Sequence, residues 1–438
     1  MYSSKPDASS YGMSDNGDKL VVKLSSIVRL ILLFILILPS AVFSLGSIYE
    51  SLTPATISYD WLNYKFGILQ LIICLIGAVE IICQKQRIFL IIFFIEFLRE
   101  ILFYFAYDNS LFNESAYEMY LTVFVGYSLF LIVRRYMNDF RMMDKFYGLF
   151  LITNMLTIYI NVAMGGRGTT STDASMGAIA GRYHASNLDV GGTGTLCLLC
   201  IIYLYFSHIK NIYRYPLLIL SFLGLILCGS RTAMLFAVVL LFYYIIKYLY
   251  HTVKFHETRI NESHIYQMFF LLVALGVFCI WGYENSDFIS DHINFERFQA
   301  LLTLSAFSSD GSVLGRFASI QAGLDILFNN PLGISGYFIN LQTEMAVRGF
   351  PTFPHSSLLS GYLLYGPIIL LVYIVWGHFL NQNYSYDNKY FWMILYYIFS
   401  TITAGGPIVN FKIIFVMIIV SVLAYMSLSE AREKKNDY

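Results

Sequence analysis

The chain has 438 residues, a formal net charge of zero, 57% hydrophobic and only 13% charged residues, with 37 Phe and 35 Tyr. So little polar surface cannot cover a water-soluble globule of this length, which excludes a soluble domain and points to an integral membrane protein. No basic stripe suited to a phosphate backbone is present, so nucleic acid is excluded as a partner and lipid is implied.

Apolar windows long enough to cross a hydrocarbon core predict an all-α polytopic membrane protein with about twelve transmembrane helices. A cytoplasmic tail, 1–23, precedes a first span at Leu24–Leu45, whose long apolar stretch and lack of an A-x-A site speak for an uncleaved helix. Spans two to nine are read at Tyr64–Cys83, Ile88–Tyr107, Tyr117–Val133, Phe146–Met164, Thr193–Phe206, Tyr215–Cys228, Thr232–Leu249 and Tyr266–Tyr283, closing a membrane region of 24–283. A large helical extracytoplasmic loop, 284–354, follows between spans nine and ten. Spans ten to twelve, Ser357–Phe379, Tyr390–Thr401 and Ile408–Met426, fill 355–426 before a cytoplasmic tail at 427–438.

Sidedness follows from the basic residues. With both termini cytoplasmic, Lys85, Arg87, Arg134, Arg135, Arg141, Lys145, Lys210, Arg214, Lys247, Lys254, Arg259 and Lys389 all fall in inward loops, as the positive-inside rule requires. Outward loops are polar and acidic, such as DNSLFNES from Asp108 to Ser115. The outward segment 165–192 is too rich in Gly, Ser and Thr to build a core and is expected to fold as a loop on the bundle. In the loop 284–354, Val313, Phe317, Ile320, Leu324 and Leu327 recur at helical spacing, with Arg316, Ser319 and Gly323 on a neighbouring face. Asn329–Asn330–Pro331 stops this run, which reads as an amphipathic helix on the outer bilayer surface. Cys197 and Cys200 have C-x-x-C spacing inside an apolar run without further ligands, and all six cysteines read as small packing residues.

Ionisable groups at membrane depth call for an explanation. Glu96, Arg99 and Glu100 stand at i, i+3 and i+4 in the third span and can neutralise one another on one helix face. On the outer side the cations Arg167, Arg182, Arg231, Arg297, Arg316 and Arg348 are all arginines, whose planar fork matches phosphate oxygens bidentately. Arg231 lies in the tight turn CGSRTAML between spans seven and eight. His355 follows two prolines at the mouth of span ten, where a neutral imidazole could take a proton from a sugar hydroxyl while arginines stabilise a departing pyrophosphate. Glu344 and Asp310 are alternative bases. No D-x-D-like acidic pair is visible outside, so no metal and no other cofactor is expected.

Three features resemble the O-antigen polymerase and O-antigen ligase superfamily of bacterial envelopes: GSRTAML with R-x-x-x-L from Arg231 to Leu235, GRFASIQAGLDILFNNPLGISGY from Gly315 to Tyr337, and His355–Ser356 followed after nine residues by Gly366. Their order and the large loop before span ten are similar too. The resemblance implies a membrane glycosyltransferase of the bacterial cytoplasmic (inner) membrane, metal-independent, whose donor is a polyprenyl-pyrophosphate-linked glycan. It implies that Arg231 and Arg316 contact pyrophosphate or glycan with His355 near the reacting centre, which makes these three the catalytic candidates; Arg348 is the next candidate by position, and the outer-side arginines Arg297, Arg182 and Arg167 join it as substrate-binding candidates. A Wzy-type polymerase, working with a chain-length regulator protein, is favoured over a WaaL-type ligase because polymerases are the more numerous and divergent group. The ligase stays open: position 369, small or aromatic in some ligases, is Ile369, and no R-x10-G repeat of some polymerases starts at Arg167, Arg182, Arg297 or Arg316. A transporter fits less well, since the halves show no repeat and the arginines gather at one face.

Overall fold

The computed structural model describes residues 87–107, 140–163, 183, 190–207, 209–255, 311–334, 338–350, 353–382, 388–403 and 419–428, with short helical stretches between 77 and 83 and at 128 and 131. Every regular element among them is helical. In chain order these are α1 (Arg87–Tyr107), α2 (Phe140–Ala163), α3 (Val190–Phe206), α4 (Asn211–Cys228), α5 (Arg231–Phe255), α6 (Gly311–Asn329), α7 (Phe338–Val347), α8 (Ser357–Tyr365), α9 (Ile369–Gln382), α10 (Lys389–Thr403) and α11 (Ile419–Leu428). The spans expected at Leu24–Leu45 and Tyr266–Tyr283 lie outside the described residues, as do most of those at Tyr64–Cys83 and Tyr117–Val133.

α3 is the axis of the bundle. Leu196 to Leu204 are all buried, the signature of a helix apolar all round and enclosed by others. α2, α4, α5 and α10 surround it, and Tyr147, Met155, Leu225, Phe236, Trp392 and Tyr396 belong to the same core. Cys197, Cys200 and Cys228 are buried thiols there, as packing residues are. At the far end of α10 from Thr403, Lys389 meets the Asp144 carboxylate at 2.5 Å and ties its helix to α2.

α1 is inverted relative to a soluble helix. Its charged residues Glu96, Arg99 and Glu100 are buried, while Phe94, Ile95, Leu102 and Phe105 face out. Apolar groups outward and charges inward suit hydrocarbon surroundings. By length and composition α4 alone among the described helices is long and apolar enough to cross a membrane, joined by the bent run from Ser357 to Asn381 if that counts as one span. The all-helical class is therefore observed, whereas the count of about twelve spans remains an expectation.

Two expectations change in detail. Ser357–Phe379 is not one straight helix: α8 ends at Tyr365, a 3-10 turn covers Gly366–Ile368, and α9 continues. Gly366 leaves helical geometry at φ 71° and ψ −163°, and Pro367 offers no N–H to continue the ladder. Inside the 284–354 loop, a second helix, α7, follows α6; its Leu341 and Met345, one turn apart, are fully buried.

α6, α7 and α8 share a second core of Ala322, Ile326, Ile334, Leu341, Met345, Leu359, Leu363 and Leu364. The face of α6 that packs on protein is the one bearing Ser319, Ala322, Gly323 and Ile326, whereas Phe317 and Leu324 of the apolar spacing read from the sequence are exposed. Ser319 meets His355, Gly323 lies against Pro354 and Leu359, and Gly333 lies against Tyr362 and Leu363. Residue numbers rise together along both helices, so α6 and α8 run parallel, with α7 on the return path.

Candidate functional site

Three helix starts, of α3, α5 and α8, and two helix ends, of α4 and α10, converge at one end of the bundle. α4 stops at Gly229, left-handed at φ 61°, whose N–H donates to the Ile226 carbonyl at 3.0 Å. Ser230 intervenes, and Arg231 begins α5. The start of α3 is glycine-rich, and a Cβ on Gly194 would lie 2.2 Å from Ser230 Cβ, so this glycine lets the Arg231 turn close on α3. Thr195, next in α3, hydrogen-bonds through its hydroxyl to Tyr396 of α10 at 2.9 Å. Five residues further along α10, the Thr401 carbonyl accepts from Ser356 at 3.5 Å, a long bond that nonetheless fixes adjacency. Arg231 and His355 therefore stand at the same end, on either side of α10. Tyr183 joins them: its N–H donates to the Leu227 carbonyl at the α4 terminus at 3.1 Å.

Ser356 is the N-cap of α8, accepting from the Leu359 N–H at 3.4 Å in extended backbone geometry. The residue before the cap, His355, is held by its own backbone: its N–H donates to Ser319 Oγ at 2.9 Å. Ser319 is one turn along α6 from Arg316, and this contact brings the arginine and the histidine together. Ser319 is almost fully buried. The Ser360 hydroxyl adds a bond to the Pro354 carbonyl at 3.0 Å, so the chain is fixed on both sides of His355.

Burial of the His355 ring, and then the charge of Arg316, hold its pKa below the ordinary 6.5. The imidazole is neutral at pH 7 and so can accept a proton. A guanidinium beside a neutral base is a suitable arrangement for moving a proton near a developing negative charge.

Among the other arginines, Arg348 sits after α7 with its guanidinium on Glu344, bonded to the carboxylate at 2.7 Å and to the Glu344 carbonyl at 2.8 Å. This also occupies Glu344, one of the alternative bases. Arg167, Arg182, Arg297 and Asp310 lie outside the described residues, although Tyr183, following Arg182 in the chain, is anchored beside the Arg231 turn.

Ser319 carried no signal in the sequence beyond its helical face. Arg99 was legible as part of a charge cluster, and its ion pairs with Glu96 at 2.6 Å and Glu100 at 3.0 Å are as expected. Its bonds to the Leu332 carbonyl at 3.0 Å and the Leu364 carbonyl at 2.7 Å, in distant segments, were not legible. A shallow, apolar groove of about 450 Å³ opens there between α1 and Leu332, Pro367 and Ile368. It lies at the opposite end of α8 from His355 and is separate from the candidate site.

Residues 216–374 match a family model described as O-antigen ligase. The matched segment runs from the first turns of α4 into α9 and contains Arg231, Arg316, Arg348 and His355. The family is one of membrane proteins that act on glycans in polysaccharide biosynthesis. No curated protein and no solved structure matches the chain.

Proposed function

We propose that this chain, which over residues 216–374 carries the domain of the O-antigen polymerase and ligase superfamily, polymerises polyprenyl-pyrophosphate-linked oligosaccharide repeat units on the outer face of the bacterial inner membrane. Both termini are then cytoplasmic, and the end of the bundle that bears Arg231, Arg316 and His355 faces outward. The observation that carries the reading is His355 held on Ser319, one turn along α6 from Arg316.

His355 takes the proton from a hydroxyl of the acceptor sugar as that oxygen attacks the anomeric carbon of the donor. The new glycosidic bond forms, the bond from the anomeric carbon to pyrophosphate breaks, and the electron pair leaves on the pyrophosphate of the carrier lipid. Arg231 and Arg316 are assigned to that charge, which a guanidinium fork fits bidentately. The step as written consumes no nucleotide and requires no metal. In a polymerase the acceptor is another lipid-linked repeat unit, and a chain-length regulator is the partner expected alongside.

A second reading, ligation of the finished glycan to a lipid A core sugar, is favoured by the ligase description of the matching family. Gene deletion separates the two: core lipopolysaccharide carrying one repeat unit is expected for a polymerase, and bare core with carrier-linked polymer for a ligase. Either activity requires the same site. Arg231→Ala and His355→Ala are expected to lower product by about 10²-fold or more, the usual contribution of a general base or charge stabiliser, with each variant still in the membrane. Normal product from both variants would rule out the mechanism.

A further inference from the structure

We propose that Arg99 is a positioning residue for the reaction: from α1, outside the matched segment, it clamps the ends of α6 and α8 and thereby fixes Arg316 against His355. This assignment rests on the reading of those two residues as the reaction site.

Four of the five guanidinium N–H donors are committed. Its Nε donates to Glu96 at 2.6 Å, one terminal nitrogen to the Leu332 carbonyl at 3.0 Å, and the other to Glu100 at 3.0 Å and the Leu364 carbonyl at 2.7 Å. With two carboxylates against one guanidinium, the cluster is no further phosphate site. The two carbonyls identify its purpose. Leu364 lies in the last turn of α8, where carbonyls lose their helical partners and a cation is favoured. Leu332 lies in the turn that follows α6, and the neighbouring Ile334 N–H donates to the Leu363 carbonyl at 2.7 Å. Tyr362 closes the same crossing by donating its hydroxyl to the Pro331 carbonyl at 2.9 Å.

The backbone is shaped to admit this contact. A Cβ at Gly333 would stand 2.6 Å from the Leu363 carbonyl and 3.3 Å from an Arg99 nitrogen; one at Gly366 would stand 3.1 Å from the Leu332 carbonyl and 3.2 Å from Arg99 Nε. Both glycines are needed because the guanidinium and two chain segments share one small volume.

Because α6 and α8 are parallel, a clamp at their C-terminal ends acts on their N-terminal ends. From Leu364 back to His355 is nine residues, roughly 14 Å of helix, and Ser319 meets His355 at the other end. The parallel pair is thus pinned twice, by Arg99 and by Ser319, with packed Gly323 between. A buried ion cluster is weak as a source of stability, since desolvation offsets most of its attraction. Its value here is geometric.

The test replaces the cluster as a unit. The triple variant Glu96→Gln, Arg99→Met, Glu100→Gln leaves no buried charge unpaired, so its insertion in the membrane is expected to be normal. Polymer made by cells that carry it in place of the native gene is read per unit of inserted protein. Loosening the reacting groups is expected to lower it at least about tenfold, and Arg99→Lys, which keeps the charge but loses the fork, is expected to fall less. In parallel, spin labels at the exposed Leu314→Cys on α6 and the half-buried Leu358→Cys on α8, with other reactive cysteines replaced, report the distance between the two clamped helices. A narrow distribution in the otherwise native protein is expected to broaden in the triple variant. Native polymer or an unchanged distribution in the triple variant overturns the assignment; if only Arg99→Lys inserts, an unchanged distribution there does the same. A broadened distribution together with full activity of His355→Ala keeps the clamp and removes the proposed reaction site.

Discussion

Replacing Gly366 by alanine tests the geometry at the break between α8 and α9. Its φ of 71° and ψ of −163° fall in a region essentially reserved for glycine, and forcing an L-residue there costs about 1–3 kcal/mol. The added Cβ would also stand 3.1 Å from the Leu332 carbonyl and 3.2 Å from Arg99 Nε, and neither can retreat freely while that carbonyl accepts from a terminal nitrogen of the same guanidinium. Giving up one hydrogen bond of a buried guanidinium adds about 1.5–3 kcal/mol. The expected loss is thus about 2.5–6 kcal/mol, a large part of a typical protein's stability. Two glycines serve as internal standards. Gly349 has φ 86° but open space around its missing side chain, so alanine there costs only the backbone term, about 1–2 kcal/mol. Gly377 lies within α9 with open space and no positive φ, where alanine gains about 0.5–1 kcal/mol. Thermal unfolding in detergent micelles, followed by circular dichroism, should rank Gly377→Ala above the native protein, then Gly349→Ala, then Gly366→Ala. A Gly366→Ala midpoint equal to that of Gly349→Ala would refute the claim that the guanidinium and the Leu332 carbonyl crowd this position.

Two further outcomes concern the candidate site. Neutral His355 is the reactive form, so the rate falls as pH drops through its pKa, which burial and Arg316 hold below 6.5; Arg316→Gln removes one of these causes, and the acid limb of the remaining activity should move upward toward 6.5, with an unmoved limb counting against their proximity. Ser319→Ala deprives the half-buried His355 N–H of its acceptor, which should cost about 0.5–1.5 kcal/mol and reduce polymer while the chain stays in the membrane; unaltered stability and polymer would show that another group holds His355.

Much of the helical architecture was legible because hydrophobic runs and their stops are local properties. α6 was expected to run from about Ser312 to Asn329 and does so to within a residue, since the apolar spacing begins and the Asn–Asn–Pro stop ends it locally. α3, α4 and α5 likewise start and end close to the predicted windows. α7 escaped because ten residues with one buried pair, Leu341 and Met345, give too weak a period to separate from loop. The approach of Arg316 to His355 was anticipated from shared sidedness, but the means, Ser319, depends on the parallel docking of α6 on α8, which no single stretch encodes. Glu96, Arg99 and Glu100 showed the opposite limit. Their mutual neutralisation followed from i, i+3 and i+4 spacing, whereas the two carbonyls that complete the set belong to residues over two hundred positions away.

The reach of Arg99 into the matched segment bears on how such a chain can be divided. Residues 216–374 are the stretch that matches the family model, but the end that holds Arg231 and His355 is built with Gly194 and Thr195 from before that stretch and with Tyr396 and Thr401 from after it. A chimera that exchanged only the middle between two relatives would part Leu332 and Leu364 from the guanidinium that gathers them. Exchanges that preserve activity should therefore carry the third predicted span, α3 and α10 together with the middle, as one cassette in space drawn from four separate stretches of gene.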